Sequence, residues 1–209
     1  MTKKLRISLI LLATAIGMIS CESLGLSAPK MDTEAAFKRV VEAYEKHIDT
    51  TKYHPVDFRW FEIDKLSNDL SYLNVTMISK EDDKAYSQSI KIGGDNQGAE
   101  ELEPSKFSKY SKYTFDKSNW IRPSDLNAEL FLKQIEDAAS QIPEDEYNIR
   151  SVSDFNVELH HKTGAIQNNF TFRVTKKGEA KEYRGKQVIT NYYEVSFDGQ
   201  ADGTAEMKD

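Results

Sequence analysis

The same order of helix and strand patterns occurs twice in this chain of 209 residues. Apolar residues recur at three- and four-residue steps from Phe37 to Ile48, which predicts an amphipathic helix. A second stripe of this kind runs from Phe131 to Ile142, 94 residues later, and strand patterns follow both helices. A fixed period of this length predicts an α+β fold built from two repeats of one helix packed on an antiparallel sheet.

The two halves can be aligned residue by residue. An offset of 94 places Phe37 on Phe131, Val41 on Ile135, Glu42 on Glu136, Phe61 on Phe155 and Ile63 on Val157. One further residue brings the segment 74–77 onto 169–172. Two unrelated helix-and-sheet units would share much of this patterning, so the alignment leaves open whether the halves are true duplicates.

The patterns divide the chain into six segments. We assign a leader to 1–20, a tether to 21–32, a first α+β unit to 33–103, a connector to 104–123, a second unit to 124–199 and a flexible tail to 200–209. The tail is predicted to fray because Met207 is almost its only apolar residue. In element order, the two units resemble tandem cystatin-like or PepSY-like units, including two-repeat inhibitor proteins. This resemblance implies a fold and identifies no binding residue.

The first segment is typical of an export signal. Lys3, Lys4 and Arg6 precede an apolar run over 7–19, and the small residue Ser20 comes before Cys21. The run is too short to span a bilayer, which takes roughly 20 residues. We therefore expect cleavage at this position and export of the remaining chain.

Cys21 is the single cysteine of the chain, and the residues before it, 18–20, resemble the lipobox of bacterial lipoproteins. The resemblance implies acylation of Cys21, with palmitate-type chains that anchor the protein in the cell envelope. Glu22 stands where Asp would favour the inner membrane, so we expect the outer membrane. The alternatives are an ordinary signal peptide or a free cysteine in a membrane-tethered segment.

Charge and cysteine content exclude several classes of protein. Loss of the leader, with its three basic residues, would change the net charge from −6 to about −9. Nucleic-acid binding needs a concentrated basic face, so we predict none. With Cys21 acylated, no disulfide can stabilise the fold, which must rely on its hydrophobic core.

The sequence contains no recognisable catalytic or metal-binding motif. His160 and His161 are adjacent, and if they lie in a strand their side chains point to opposite faces and cannot share an ion. Acidic clusters at 81–83 and 100–103 fall in predicted turns, where such clusters are usually solvated. We predict no metal, no cofactor and no enzymatic activity.

The segment 106–120 combines positive charge with aromatic rings in an otherwise acidic chain. The candidate partner-binding residues are Lys106, Phe107, Lys109, Tyr110, Lys112, Tyr113 and Trp120. They could contact an anionic or sugar-bearing partner through stacking and ammonium contacts. The alternative, which we favour, is a connector whose rings fill the junction between the units while the lysines stay in water.

Together these features predict a lipid-anchored envelope protein with a non-enzymatic role. We expect it to bind a protein partner or an envelope polymer, since broad sheet faces and edge strands suit such partners. The main alternative is a hydrolase with a site in the cleft between the two units. A third possibility, carriage of a small apolar ligand, would require an enclosed cavity beneath a helix.

Overall fold

A computed structural model of the chain describes residues 28–94, 97–179, 182–184 and 187–208. The predicted leader, Cys21 and most of the predicted tether lie outside the described residues. The last residues of the tether segment lie inside, and they are packed rather than free. Met31 is fully buried and Lys30 bridges to Asp69 in the loop before the second strand.

Two α-helices of similar length occur in the described residues, α1 at Glu34–His47 and α2 at Ala128–Ser140. Thr33 caps α1 by accepting a hydrogen bond from the Ala36 amide, and Asn127 caps α2 in the same way. The predicted second unit begins at residue 124, but the structure has a short 3₁₀ turn at Pro123–Asp125 before α2 starts.

The described residues include eleven strands. In chain order they are β1 Tyr53–Phe61, β2 Tyr72–Ser79, β3 Ala85–Lys91, β4 Gly98–Ala99, β5 Glu103–Pro104, β6 Tyr147–Leu159, β7 Ile166–Lys176, β8 Glu182–Arg184, β9 Gln187–Ile189, β10 Tyr193–Gly199 and β11 Ala205–Met207. In this part of the chain, nine of them form one antiparallel sheet in the order β11-β10-β7-β6-β1-β2-β3-β4, with β5 also paired to β3. The pair β8–β9 forms a separate hairpin.

Both helices pack on one face of this sheet. Phe37 of α1 and Phe131 of α2 meet with ring centroids 5.7 Å apart, and both contact Phe155 of β6. Trp60 of β1 stacks on Phe155 at 4.8 Å, so residues from both halves form one continuous core. The α+β class and the packing of helices on an antiparallel sheet are therefore confirmed.

The two halves join through their first strands. Strands β1 and β6 pair antiparallel at the centre of the sheet, with Trp60 opposite Phe155 and Phe61 opposite Asp154. The sequence alignment that placed Phe61 on Phe155 is wrong, because Phe155 is buried beneath the helices and Phe61 lies on the other face, half-buried. Whether the halves are copies of one unit stays a prediction.

The segment after Gly199 differs from the predicted flexible tail. Strand β11 pairs with β10, and Ala205 is only 7% exposed. The Ala205 amide donates to Asp137 of α2, and its carbonyl accepts from Gln141. A segment with few apolar residues is thus held by backbone hydrogen bonds to the end of α2 and to the sheet.

Candidate functional site

The face of the sheet opposite the helices is lined by polar side chains. In β1, Phe58 and Trp60 point into the core, so Asp57 and Arg59 point to the opposite face. The residues paired with them on the neighbouring strands continue each row across the sheet. One such row, from β7 to β3, consists of Asn169, Asn156, Arg59, Asn74 and Ser89. We call this surface the open face.

A groove of about 970 Å³ lies over the open face. Its floor includes Asn74 and Thr76 from the first half and Asn156, Asn169 and Thr171 from the second. The groove therefore crosses the junction between β1 and β6. The cleft that the sequence predicted between two units is replaced by a continuous sheet with a groove above it.

Residues 103–113, which we call the crossing segment, form one wall of the groove with their residues 103–107, 109 and 110. It begins with β5, which pairs with β3, and it reaches the central strand β1 through Lys109 and Tyr110. The Lys109 ammonium lies 3.2 Å from Asp57 and 3.0 Å from Glu158. The Tyr113 hydroxyl donates to the Leu159 carbonyl. These contacts fix the segment across the open face from β3 to β6.

Asp57 is the most buried carboxylate that the crossing segment contacts, with 7% of its surface exposed. Burial raises the pKa of Asp57 even though Lys109 and Tyr110 both donate to it. Burial, together with the neighbouring Asp57 charge, raises the pKa of Tyr110 to about 12. Burial opposes the charge on Lys109, but Asp57, Glu158 and Tyr110 together raise the pKa of this ammonium.

Two arginines on the open face are also ion-paired. Arg59 donates to Asp154, its diagonal neighbour on β6. Arg173 of β7 lies 2.8 Å from Glu62 and 3.0 Å from Glu194. The Glu62 side chain has no exposed area. Three cations of the groove, those of Arg59, Lys109 and Arg173, thus lie against carboxylates in fixed positions.

Glu62 also holds the loop that follows β1. Its two oxygens accept hydrogen bonds from the Leu66 and Asn68 amides and from the Ser151 hydroxyl, in addition to the bond from Arg173. Leu66 and Asn68 have φ values of 66° and 60°, in the left-handed region that Leu rarely adopts. The carboxylate therefore stabilises an unfavourable loop conformation at one end of the groove.

The seven predicted partner-binding residues differ in how far they are exposed. Lys106 and Lys112 are exposed, and Phe107 is 67% exposed. Tyr110 and Tyr113 are buried, while Lys109 is held by the two carboxylates described above. Trp120 is half-buried against His54, with ring centroids 4.9 Å apart. Of the seven, Lys106, Phe107, Lys109 and Tyr110 line the groove.

The histidines do not form a shared site in the described residues. Strand β6 ends at Leu159, so His160 and His161 lie in the following turn rather than in a strand, with ring centroids 5.5 Å apart. His160 Nδ1 is 3.0 Å from the Thr163 hydroxyl. Among the residues that the structure describes, no three His, Cys, Asp or Glu side chains are grouped closely enough to hold a metal ion.

Sequence reasoning missed the polar residues of the open face. In three predicted strands, polar residues alternate with residues of the core, and this alternation was the available signal of a polar face. The polar residues are Asp57, Arg59, Asp154, Asn156 and Arg173. The alternation indicated that one face is solvated. It could not show that a connector distant in sequence would wall that face and turn it into a groove.

Comparisons of the chain with models of protein families, with curated proteins and with solved structures give no match. Within the described residues, none of the helices combines the length and apolar character needed to cross a membrane.

Proposed function

We propose that this protein is a lipid-anchored component of the bacterial envelope that binds a protein partner or an envelope polymer in the groove over its open face, without catalysis. The observation that carries the proposal is the groove itself, which spans strands β1, β2, β3, β6 and β7. The export signal and the lipobox resemblance support anchoring through Cys21, and Glu22 in place of Asp supports an outer-membrane location.

The state of the charged groups favours binding over catalysis. A general acid or base needs access to its substrate and a pKa suited to proton transfer. In the groove, Asp57, Glu62 and Asp154 each accept hydrogen bonds from a cation, which orients them as fixed acceptors. Groups held in this way supply a rigid binding surface with little reorganisation when a ligand arrives.

Pull-down from native membranes tests the binding role. Asn74→Arg places a large cation on the exposed floor of the groove beside Arg59, so it should abolish recovery of the partner. Asn148→Arg, at an exposed position outside the groove, is the matched control and should leave recovery unchanged. Equal recovery by both variants would refute the assignment of the groove as the binding site.

The anchor is tested separately by detergent phase partition. The wild-type protein should enter the detergent phase, and Cys21→Ser should move it to the aqueous phase, because each buried CH₂ of an acyl chain contributes about 0.8 kcal/mol. Recovery of the wild-type protein in the aqueous phase with its leader uncleaved would contradict the lipoprotein assignment.

A hydrolase is the second candidate function, and the raised pKa of Asp57 beside the groove favours it. A protonated carboxyl at this position could donate a proton to a leaving group. Under this alternative, the purified protein would degrade the ligand recovered with it, and Asp57→Asn would stop the degradation. Recovery of an intact ligand after prolonged incubation would support the binding role.

We further propose that the two halves are copies of one unit. Each contributes a capped helix followed by three antiparallel strands, α1-β1-β2-β3 and α2-β6-β7-β10. A hydroxyl pair, Thr76 with Ser87 and Thr171 with Ser196, joins the second and third strands of each half. Related sequences should preserve both pairs together, and independent variation of the two would argue against a duplication.

A further inference from the structure

The lining of the groove is dominated by groups that form hydrogen bonds. Of its 25 residues, ten are neutral Asn, Gln, Ser or Thr, and only Phe61, Pro104, Phe107 and Tyr110 are apolar or aromatic. Protein–protein interfaces instead concentrate apolar and aromatic side chains at their centre and deplete charged ones there. The floor of this groove thus lacks the features that a folded protein partner would require.

The charges of the groove disfavour an anionic ligand. Seven carboxylates and four cations line it, which gives a net charge of −3. The cations of Arg59, Lys109 and Arg173 are already paired with carboxylates, and Glu100, Glu101 and Glu103 add negative charge at the rim. A phosphate- or carboxylate-bearing polymer would meet repulsion there without an unpaired cluster of cations to compensate.

The paired groups keep unused hydrogen-bonding capacity. Arg59 uses Nε and Nη2 on Asp154, although a guanidinium carries five N–H donors. Asn156, with its amide nitrogen towards the Phe58 carbonyl and Asp57, leaves its amide oxygen as an acceptor. Arg59 and Asn156 are neighbours across β1 and β6, so free donors and an acceptor lie side by side on the floor, which suits a ligand whose hydroxyl groups both donate and accept.

Aromatic rings lie at two places along the groove. Phe107 on the crossing segment is 67% exposed, and Phe61 stacks on Tyr72 with ring centroids 6.0 Å apart. The exposed ring of Phe107 and the half-buried ring of Phe61 offer apolar surface, beside dense polar groups, to flat and weakly polar faces of a ligand. The groove volume of about 970 Å³ lies near the upper end for ligand sites, roughly 300–1,000 Å³.

We propose that the groove binds a neutral glycan, an oligosaccharide chain of several sugar units. Its hydroxyl groups bond to Asn74, Asn156 and Arg59, and its ring faces lie against Phe107 and Phe61. This inference rests on the proposed binding function and specifies the polymer class that the groove accepts. A protein partner and an anionic polymer become the outcomes that the test distinguishes from it.

Isothermal titration of the detergent-solubilised full chain tests the inference. The probes are hexasaccharides of glucose, galactose, mannose and N-acetylglucosamine, with hexagalacturonate as the anionic probe. At least one neutral hexasaccharide should bind with one-to-one stoichiometry and more than tenfold tighter than hexagalacturonate. Failure of every neutral hexasaccharide to bind, or equal affinity for the anionic probe, would overturn the proposal.

Single substitutions test whether the hexasaccharide binds in the groove. Asn74→Ala should weaken binding about 3- to 10-fold through loss of hydrogen bonds to the ligand. Phe107→Ala should weaken it by about tenfold through loss of ring contact. Asn148→Ala and Ile63→Ala, at exposed positions outside the groove lining, should bind as the wild type does. Unchanged affinity in both groove variants would place the sugar elsewhere and refute the inference.

The two proposals can fail independently. If Asn74→Arg loses a protease-sensitive partner from native membranes while no hexasaccharide binds, the binding function stands and the glycan class is wrong. In the opposite case, the hexasaccharides bind and Asn74→Ala weakens their binding, while Asn74→Arg leaves the pull-down from membranes unaffected. The glycan class then stands, and the membrane partner binds at another surface.

Discussion

The fully buried Glu62 carboxylate accepts hydrogen bonds from three kinds of donor, which are backbone amides, a hydroxyl and a guanidinium. Glu62→Gln removes the charge opposite Arg173 while keeping the size of the side chain. Breaking a buried pair by removal of one partner costs about 3–5 kcal/mol, so the free energy of unfolding should fall by about that amount, less any compensation from Glu194. Urea denaturation followed by circular dichroism measures it.

Glu194 provides the matched control for Glu62 because it pairs with the same arginine. Its side chain is 52% exposed, and exposed ion pairs contribute about 0–1 kcal/mol. Glu194→Gln should therefore change the free energy of unfolding by less than 1 kcal/mol. Equal losses in the two variants would contradict the central role of Glu62.

His54 should make stability depend on pH. Its Nδ1–H donates to the Phe115 carbonyl at 2.9 Å, and its ring lies between those of Phe115 and Trp120. Burial lowers the pKa of His54 below 6.5, so the unfolded chain binds the proton more readily than the folded chain. The stability contributed by neutral His54 is thus present above pH 6.5 and is lost as the pH falls through the folded-state pKa.

The measurement compares wild type with His54→Phe, which keeps a flat ring and cannot titrate. As the pH falls from 8 to 5, the free energy of unfolding of the wild type should fall relative to that of His54→Phe. Because His47 and His161 also have lowered pKa values, only this difference isolates His54. A difference that stays constant across this range would contradict the prediction.

At the residue scale, the burial of side chains could be predicted from the sequence more reliably than their contacts. Phe37 and Ile48 mark the two ends of the apolar stripe predicted for the first helix, and both are in the core. The pairing of Lys109 with Asp57 joins residues 52 positions apart, and no local pattern indicates such a contact. Long-range ion pairs depend on how strands and connectors are arranged in space.

Among the elements, β11 should contribute measurably to stability. Truncation after Gly199 removes the backbone partners of Asp137 and Gln141, and it removes the Gln200 carbonyl that accepts a hydrogen bond from the fully buried Gln134. A buried polar group left unsatisfied costs about 1–3 kcal/mol. We expect the free energy of unfolding to fall by about 2–4 kcal/mol, measured by urea denaturation.

A control separates the strand from the surface charge at its end. Lys208 pairs with Asp198, and both side chains are more than 40% exposed. Lys208→Ala should therefore cost less than about 1 kcal/mol. A truncated protein as stable as the wild type would show that the last strand is dispensable and would restore the prediction of a frayed tail.

The crossing segment illustrates the limit of prediction at the element scale. Its lysines and rings form a pattern in the sequence, and this pattern favours a connector with buried rings. Tyr110 and Tyr113 are buried, as that interpretation requires, whereas Phe107 is exposed above the groove. Which ring of such a segment turns inwards depends on its path across the sheet, and the sequence does not encode that path locally.

Over the whole molecule, the shared core predicts that the two halves unfold together. Phe37 and Trp60 from the first half pack directly on Phe155 from the second. Urea unfolding of the full chain should therefore give one cooperative transition with coincident fluorescence and circular dichroism curves. The fragment 28–103, which lacks β6 and α2, should not fold cooperatively. Two separate transitions, or a fragment with native near-ultraviolet dichroism, would contradict one shared core.

The sequence by itself determined the α+β class, the positions of the two helices and the alternation that makes one face of the sheet polar. Each of these depends on local periodicity, which is set by the geometry of helix and strand. Only the tertiary structure decided that β1 pairs with β6, that the halves form one sheet and that residues 103–113 cross its open face. These features come from contacts between residues far apart in the chain, whose free energies depend on packing and burial and leave no periodic signal in the sequence.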